Sequence, residues 1–325
     1  MLLAGDIGGT KTHLAIYSSP RELRTPVVDK TFPSARYSSL EVMVKEFLMQ
    51  VDANIDRACF GVAGPIVQGK AKITNLPWLM DEVELQRNLG IEKVRLLNDL
   101  AAMAYGVPLL SEEETYILNK GVVNPQGPIA VVAPGTGLGE AYLVHNGSHY
   151  VAYGSEGGHA DFAPLDEKEI GLLRFMLERT SHVSYEHVCS GIGLPNIYAY
   201  LESTGIYEVP KWLSEQLAQE TMQTPTIIKG AKESSMPICV EAVRMFASIL
   251  GAEAGNVALK VLATGGVYIG GGLPPRILPY LSDGSFMKTF VAKGRMGKML
   301  ADYPVSVIQY PNTALVGAAS FGFTL

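Results

Sequence analysis

Two apolar segments joined by a short loop of glycine and threonine occur twice in this chain. The first spans 2–17, where Asp6, two glycines and Thr10 separate two strand-like runs. The second spans 129–144, where the loop is PGTGLG. The match lies in the pattern and not in residue identity. It predicts two related lobes that each open with strand, loop and strand, and it argues against a long array of repeats.

The composition limits the class of protein. Of the 325 residues, 47% are hydrophobic and 18% are charged, which allows a large core and argues against disorder. The net charge of −6 is opposite in sign to the basic excess of most nucleic-acid-binding proteins, so no nucleic-acid partner is expected. The apolar runs are as short as strands and no basic leader precedes them, so neither a membrane span nor a signal peptide is expected.

The chain contains three cysteines, at Cys59, Cys189 and Cys239. They are widely spaced and form no CxxC pair, so we expect neither a disulfide framework nor a zinc site. This usage of cysteine favours the reducing environment of the cytoplasm.

The spacing of apolar residues predicts an α/β chain in which strands and helices alternate. Strands are predicted at 2–4, 14–17, 58–67 and 129–133, and 94–106 is predicted to be a strand followed by a helix. Further helices are predicted at 40–51, 171–179, 194–201, 241–262 and 313–323. In the 241–262 helix, Gly251, Ala254 and Gly255 predict close packing against a neighbour.

The two loops have the residues of a phosphate-binding site. Glycines let backbone N–H groups approach an anion, and threonine adds a hydroxyl donor. Neither the GxxxxGK[ST] pattern nor a GxGxxG that opens a helix is present. The candidate residues are Gly8, Gly9 and Thr10 in the first loop and Gly135, Thr136 and Gly137 in the second. Taken alone, the first loop could equally be a plain hairpin.

Asp6 stands beside the first loop, where a carboxylate would repel phosphate unless a cation lay between them. Mg²⁺ bound through water is the expected cation. A third glycine cluster, TGGVYIGGG, contains Gly265 and Gly266 followed by Gly270–Gly272. It could let a flat purine lie against the backbone, or it could be a crowded junction between a helix and a strand.

Five motifs follow one another along the chain: GDIGGTK, LLNDLAA, PGTGLG, SEGGH and GGVYIGGG. In this order they resemble the bacterial-type glucokinases, and the resemblance covers essentially the whole chain. It implies the two-lobed α/β fold of actin, hexokinase and the Hsp70 ATPase, with a central cleft. The expected small domain is 1–109 plus 311–325, and the expected large domain is 110–310. A homodimer is also implied.

The resemblance implies ATP-dependent phosphorylation of glucose at the 6-hydroxyl in the cytoplasm. Asp99, where a strand meets a helix, would be the base that accepts the hydroxyl proton, although Asp99 could also cap the helix. Asn98 beside it can both donate to and accept from a sugar hydroxyl. The resemblance further implies sugar contacts for Glu156, His159 and Glu186, and it places Asn75 of TNLPW near the sugar. Outside the resemblance, Glu156 and His159 would be read as solvated turn residues.

Other functions remain open at this stage. One is a kinase for another hexose or an N-acylhexosamine, although residues 160–188 lack the cysteines of the related repressor and kinase group. Another is a sugar-binding regulator without turnover. The sequence does not distinguish glucose from other hexoses, and it assigns no role to Lys11, His187 or Cys189.

Overall fold

The computed structural model describes residues 1–51, 54–73 and 76–325, in which strands and helices alternate. The strands are β1 (Leu2–Ile7), β2 (Lys11–Tyr17), β3 (Val28–Pro33), β4 (Arg57–Val62), β5 (Ile66–Val67), β6 (Lys70–Lys72), β7 (Leu79–Asp81), β8 (Lys93–Asn98), β9 (Thr115–Asn119), β10 (Ile129–Pro134), β11 (Leu138–His145), β12 (Tyr150–Ser155), β13 (Gly266–Ile269) and β14 (Val305–Ile308). The α-helices are α1 (Leu40–Leu48), α2 (Glu82–Leu89), α3 (Asp99–Gly106), α4 (Glu167–Leu177), α5 (Gly193–Ser203), α6 (Lys211–Gln219), α7 (Thr224–Lys232), α8 (Pro237–Val261), α9 (Leu278–Leu281), α10 (Ser285–Phe290), α11 (Gly297–Ala301) and α12 (Thr313–Gly322). Short 3-10 helices lie at Ser34–Arg36, Val107–Leu109, Glu112–Glu114, Gly157–His159, Pro274–Ile277 and Gly294–Met296.

The chain forms two compact units. Unit 1 comprises Met1–Glu114, Ala141–Gly154 and Tyr310–Leu325, and unit 2 comprises Thr115–Glu140 and Ser155–Gln309. The largest difference from the expected division is that Ala141–Gly154 belongs to unit 1. The Tyr105 hydroxyl of α3 hydrogen-bonds the backbone of Ala152, so this hairpin packs within unit 1. Such a contact joins residues that are distant in sequence, and local patterns do not reveal it.

The central sheet of unit 1 has the strand order β3-β2-β1-β4-β8. β1 is antiparallel to β2 and parallel to β4, and β4 is parallel to β8. Because side chains alternate along a strand, β1 supplies two cores. Leu3 and Ile7 pack into a cluster that includes Phe47 of α1, whereas Leu2 and Ala4 pack against α12. Asp6 lies on the same face of β1 as Leu2 and Ala4.

The helix predicted at 313–323 is confirmed as α12, and its small residues allow it to approach α3 closely. A Cβ at Gly317 would occupy the position of the Ala102 carbonyl oxygen and would lie 2.5 Å from Gly106 N. Only glycine fits this crossing point. The packing closes the face of the sheet on which Asp6 lies.

Unit 2 contains the strand order β10-β13-β14-β9. β10, β13 and β14 are parallel, and β9 is antiparallel to β14. The 25-residue α8 is largely buried in this unit, as predicted for 241–262. Cβ atoms at Gly251 and Gly255 would meet the carbonyl oxygens of Phe286 and Phe290, which confirms the predicted close packing.

Cys59, Cys189 and Cys239 are buried free thiols. No single helix within the described ranges has the length and apolarity to cross a membrane, although α7 and α8, bent by 109° at their junction, meet those criteria as a pair.

Candidate active site

The loop at Gly8–Thr10 is the turn of a hairpin between β1 and β2. Gly8 N donates to Lys11 O at 3.0 Å, which closes the turn. Ser34 supports it from outside, because Ser34 Oγ donates to Gly8 O at 2.7 Å and Ser34 N donates to Thr10 O at 3.0 Å. The plain hairpin is therefore present, and its outer supports hold the loop in a defined shape, which phosphate binding also requires.

Asp6 lies at the end of β1, opposite His13 in the neighbouring strand. Burial raises the pKa of Asp6, and the charges of His13 and Lys11 offset part of that effect. A bound cation would favour the ionised form further. No cluster of three or more His, Cys, Asp or Glu suited to a metal occurs among the described residues. A single carboxylate fits Mg²⁺, which takes its other ligands from water and substrate phosphate.

The second loop, between β10 and β11, lies in unit 2 and is internally braced. Gly135 N donates to Gly137 O at 2.9 Å. Gly191 N donates to Gly135 O at 2.8 Å, and Ile192 N donates to Thr136 O at 3.4 Å. The turn that leads into α5 thus holds this loop in place. Sequence patterns alone do not identify residues 190–194 as a support for this loop.

The third glycine cluster is divided between the two ends of β13. Gly265 and Gly266 lie at the amino end, where their N–H groups donate to Pro128 O and Ala263 O. β10 runs parallel to β13, so the loop that follows β10 lies beside the carboxyl end of β13. The structure therefore places Gly265 and Gly266 away from that loop.

Gly270–Gly272 lie at the carboxyl end of β13. Gly270 N donates to Val132 O at 2.9 Å, and a Cβ at Gly271 would lie 2.5 Å from Pro134 O. These glycines adjoin the start of the second loop.

The predicted sugar-side residues Glu156, His159 and Glu186 come together in unit 2. His159 Nε2 lies 3.8 Å from Glu156 Oε2, and His159 Nδ1 lies 3.9 Å from Glu186 Oε1. The Glu156 and His159 side chains are 76% and 60% exposed, and Glu186 is 23% exposed. The group is open enough to receive a ligand.

Glu186 also connects this group to the second loop. Its Oε2 accepts a hydrogen bond from Leu138 N at 2.9 Å. The same oxygen fills the space that a Cβ at Gly137 would need. Glycine at 137 is thus what permits a carboxylate to sit against the loop.

Asn98 and Asp99 lie in unit 1, where β8 meets α3. The N-cap of α3 is Asn98 and not Asp99, because Asn98 Oδ1 accepts from Leu100 N and Ala101 N at 3.0 and 3.3 Å. Asn98 Nδ2 donates to Gly64 O at 3.2 Å. Asp99 is the first residue of the helix, and its Oδ1 accepts from Leu100 N at 2.9 Å.

Several other sequence positions can now be located. Asn75 lies outside the described residues. Trp78 is buried and its Nε1 donates to Tyr37 O at 3.0 Å, so it is a core residue. His187 Nδ1 lies 3.1 Å from Ser184 Oγ, Cys189 is buried, and Lys11 is exposed.

One residue beside the site carries no sequence expectation. Glu140 in β11 is 3% exposed, although it follows the second loop directly. A charged residue at a core-facing position of a strand is the signal that could have identified it.

A protein-family model described as Glucokinase matches residues 3–324. A glucokinase of Nostoc punctiforme is 39% identical, and one of Nostoc sp. is 40% identical, each over 98% of both chains. The crystal structure of a glucokinase from an Antarctic psychrotroph has a TM-score of 0.87 and 31% identity, covering 100% of this chain and 99% of its own. The fold is the α/β fold of the actin and hexokinase group. The chain belongs to the glucokinase family.

Proposed function

We propose that this protein transfers the γ-phosphoryl group of ATP to the 6-hydroxyl of glucose. The observation that carries the proposal is the contact between the sugar-side group and the second loop in unit 2. Glu186, a candidate sugar-binding residue, accepts a hydrogen bond at Oε2 from Leu138 N of the candidate phosphate-binding loop. The relatives named glucokinase, which match over 98% of both chains, support the same activity.

The sugar side is suited to a neutral polyhydroxyl ligand. Each carboxylate of Glu156 and Glu186 can accept more than one hydroxyl hydrogen bond, and His159 can donate or accept. A sugar that lacks or inverts a hydroxyl leaves one of these groups unpaired. In sites built on hydrogen bonds such mismatches cost about 10⁴-fold in specificity.

The phosphate side uses backbone and hydroxyl donors. In unit 1, Gly9 and Thr10 are the proposed donors, and Gly8 shapes the first turn because its own amide is bonded to Lys11 O. In unit 2, Thr136 and Gly137 are the proposed donors, and Gly135 shapes the second turn because its own amide is bonded to Gly137 O. Gly270–Gly272 offer a backbone surface for the purine.

Asp6 would hold Mg²⁺ that accompanies ATP, and the ion would supply positive charge that offsets the charge of the phosphate oxygens. The residues present fit this role because Asp6 is a partly buried carboxylate beside the first loop. The contribution that we propose for the ion is electrostatic.

Asp99 is the proposed general base. It accepts the proton of the 6-hydroxyl while that oxygen attacks the γ-phosphorus, and ADP leaves with the electron pair of the broken P–O bond. Asp99 is the first residue of α3, and its Oδ1 accepts a hydrogen bond from Leu100 N at 2.9 Å. Asn98 holds the end of the helix and thereby fixes the Asp99 backbone.

The test is ADP release from Mg-ATP across a panel of glucose, mannose, glucosamine and N-acetylglucosamine, for the wild type and for Asp99→Asn. We expect glucose to be preferred and the variant to lose about 10²–10⁴-fold in kcat while still binding glucose by calorimetry. Asp81→Asn is the matched control, because Asp81 caps α2 in the same unit and asparagine caps equally well.

The outcomes separate the alternatives. Preference for another sugar replaces glucose as the substrate and retains the kinase. Sugar binding without ADP release for any sugar contradicts the kinase proposal and favours a sugar-binding regulator. Full turnover by Asp99→Asn contradicts the role of Asp99 alone.

The family resemblance also supports a homodimer in the cytoplasm as part of the proposal. Three buried free thiols agree with a reducing compartment. Light scattering coupled to size-exclusion chromatography measures the oligomeric state directly, and a mass of 35.0 kDa would contradict the dimer.

A further inference from the structure

Glu140 occupies a position in β11 where an apolar side chain is expected. Leu138, two residues earlier on the same face of the strand, is buried in the core of unit 2, and Glu140 is buried as well. Burying a carboxyl group is costly unless it is neutral or paired. The surroundings of Glu140 must therefore explain its charge state.

Its neighbour in unit 2 is a second buried carboxyl group, Glu253 of α8, which is fully buried. The two carboxyl groups are close enough to influence each other's titration. Within the part of the chain that the structure describes, Glu140 Oε1 and Glu253 Oε1 have no hydrogen-bond partner. Two buried carboxyl groups that interact cannot both ionise cheaply, so the pair keeps a proton.

The remaining groups around the pair are few. Lys260 Nζ lies 3.9 Å from Glu253 Oε1, and Asn256 Nδ2 donates to Glu253 Oε2 at 2.8 Å. Lys293 reaches Asn256 Oδ1 at 2.6 Å. The other titratable neighbours are Tyr185, Cys189 and Glu169. Burial raises the pKa of all three, which favours their neutral forms.

Glu140 also touches the turn that carries the sugar-side residues. Its Oε2 fills the space that a Cβ at Gly157 would need. Gly157 begins the short helix that ends at His159, directly after Glu156. The next residue, Gly158, lies against the Leu138 carbonyl in the same way. The turn therefore rests on β11, and Glu140 is part of its support.

We propose that Glu140 is a positioning residue for the sugar, and that the shared proton of the Glu140 and Glu253 pair keeps the Gly157–His159 turn in its binding conformation. The proposal rests on the proposed function. When the pair loses its proton, mutual repulsion drives the Glu140 carboxylate against the turn. Glucose binding then weakens, while the phosphoryl-transfer groups stay intact.

The direction of the pH effect follows from the charge state. Burial, together with the charge of Glu253, raises the pKa of Glu140 to about 8. The proton is therefore present at neutral pH and is lost as the pH rises through about 8. If only the protonated pair binds glucose well, the glucose KM rises by up to about tenfold between pH 7 and pH 9.

The experiment measures glucose KM and kcat from pH 6 to pH 9.5 at saturating Mg-ATP. We expect the wild-type KM to rise above pH 8 with little change in kcat from this group. Glu140→Gln, which keeps a neutral hydrogen-bonding side chain, should have a nearly flat KM over the same range. Glu253→Gln should also flatten it, because the repelling partner is gone.

Glu169→Gln is the matched control. Glu169 is a buried glutamate of unit 2 whose pKa is also raised by burial, but its carboxylate binds Leu165 N and Ser248 rather than the turn. We expect its KM profile to follow that of the wild type. An active wild type with a flat KM, or a Glu140→Gln variant with the wild-type rise, overturns the proposal. Absence of turnover with every hexose contradicts the proposed function instead.

A second measurement tests the contact without activity. Gly157→Ala adds a Cβ where Glu140 Oε2 lies, so it should lower the melting temperature by about 3 °C or more in the wild type. In a Glu140→Ala background the space is free, and the same substitution should cost less than half as much. Equal costs in the two backgrounds overturn the role of Glu140 as the support of this turn.

Discussion

Asn98 and Asp99 are neighbours that do different work at the start of α3. Asn98 accepts hydrogen bonds from the first amides of the helix, whereas Asp99, whose Oδ1 accepts from Leu100 N, is the general base that we propose. Sequence patterns locate the helix start correctly but do not assign the cap, because asparagine and aspartate cap helices about equally well. The structure assigns the cap to Asn98.

This separation gives a prediction for stability. Asn98→Ala should lower the free energy of unfolding by about 1 kcal/mol, because Ala101 N loses its acceptor and Leu100 N keeps only Asp99 Oδ1. Asn98→Ser should lose much less, since serine retains a capping oxygen. Urea unfolding followed through the buried Trp78 of unit 1 measures the difference. Equal losses in the two variants would show that the cap is not what Asn98 contributes.

At the scale of elements, α12 shows how a pattern of small residues becomes a packing contact. The chain offers glycine where α12 crosses α3, and alanines on either side complete the surface. The pattern predicts that the helix packs closely. It does not name the partner, since α3 lies more than two hundred residues earlier in the chain.

The crossing of α12 and α3 can be tested with one methyl group. Gly317→Ala places a Cβ on the Ala102 carbonyl oxygen, so the helices must move apart, at a cost of about 1–3 kcal/mol. Ser320→Ala in the same helix is the control, because Ser320 is only partly buried. Thermal unfolding of both variants measures the effect. A Gly317→Ala variant as stable as the control would mean that the crossing tolerates a wider separation.

At the scale of the whole molecule, one arginine ties together segments that are distant in sequence. Arg24 donates two hydrogen bonds to Glu114, at 2.8 and 2.7 Å, and a third to Leu109 O at 2.9 Å. Its guanidinium also lies over the Tyr310 ring, 4.7 Å from the centroid. Glu114 and Tyr310 are residues at which the chain leaves and re-enters unit 1.

The ion pair has a defined pH dependence. The Arg24 guanidinium holds the pKa of Glu114 below its usual value of 4.5. The stabilisation is therefore complete above that value and is lost as the pH falls. Arg24→Met should destabilise the protein at pH 7, and its deficit relative to the wild type should shrink between pH 5 and pH 3. Arg21→Met, at an exposed position of the same loop, should show no such trend in denaturant unfolding. A deficit that does not change with pH would show that Arg24 acts by packing alone.

The sequence predicts the elements well and the division of the chain less well. Strand and helix periodicity identifies β1, β10, α8 and α12, and the glycine loops mark both candidate phosphate sites. The assignment of Ala141–Gly154 to unit 1 and the position of Gly270 beside the second loop depend on which strands are neighbours. Those are long-range facts, and no local pattern contains them. Glu140 has a local signal, but its meaning emerges only when Glu253 and Gly157 are placed beside it.

Because unit 1 is built from segments at both ends of the chain, the order of synthesis affects its folding. The first 114 residues of unit 1 are synthesised early, but Tyr310–Leu325 are made only after the whole of unit 2. Until then, Leu2, Ala4 and Ala15 lack the cover of Leu315 and Ala319. The unit that begins synthesis first is therefore the last to be completed, and the nascent chain exposes one apolar face of its first sheet throughout translation of unit 2.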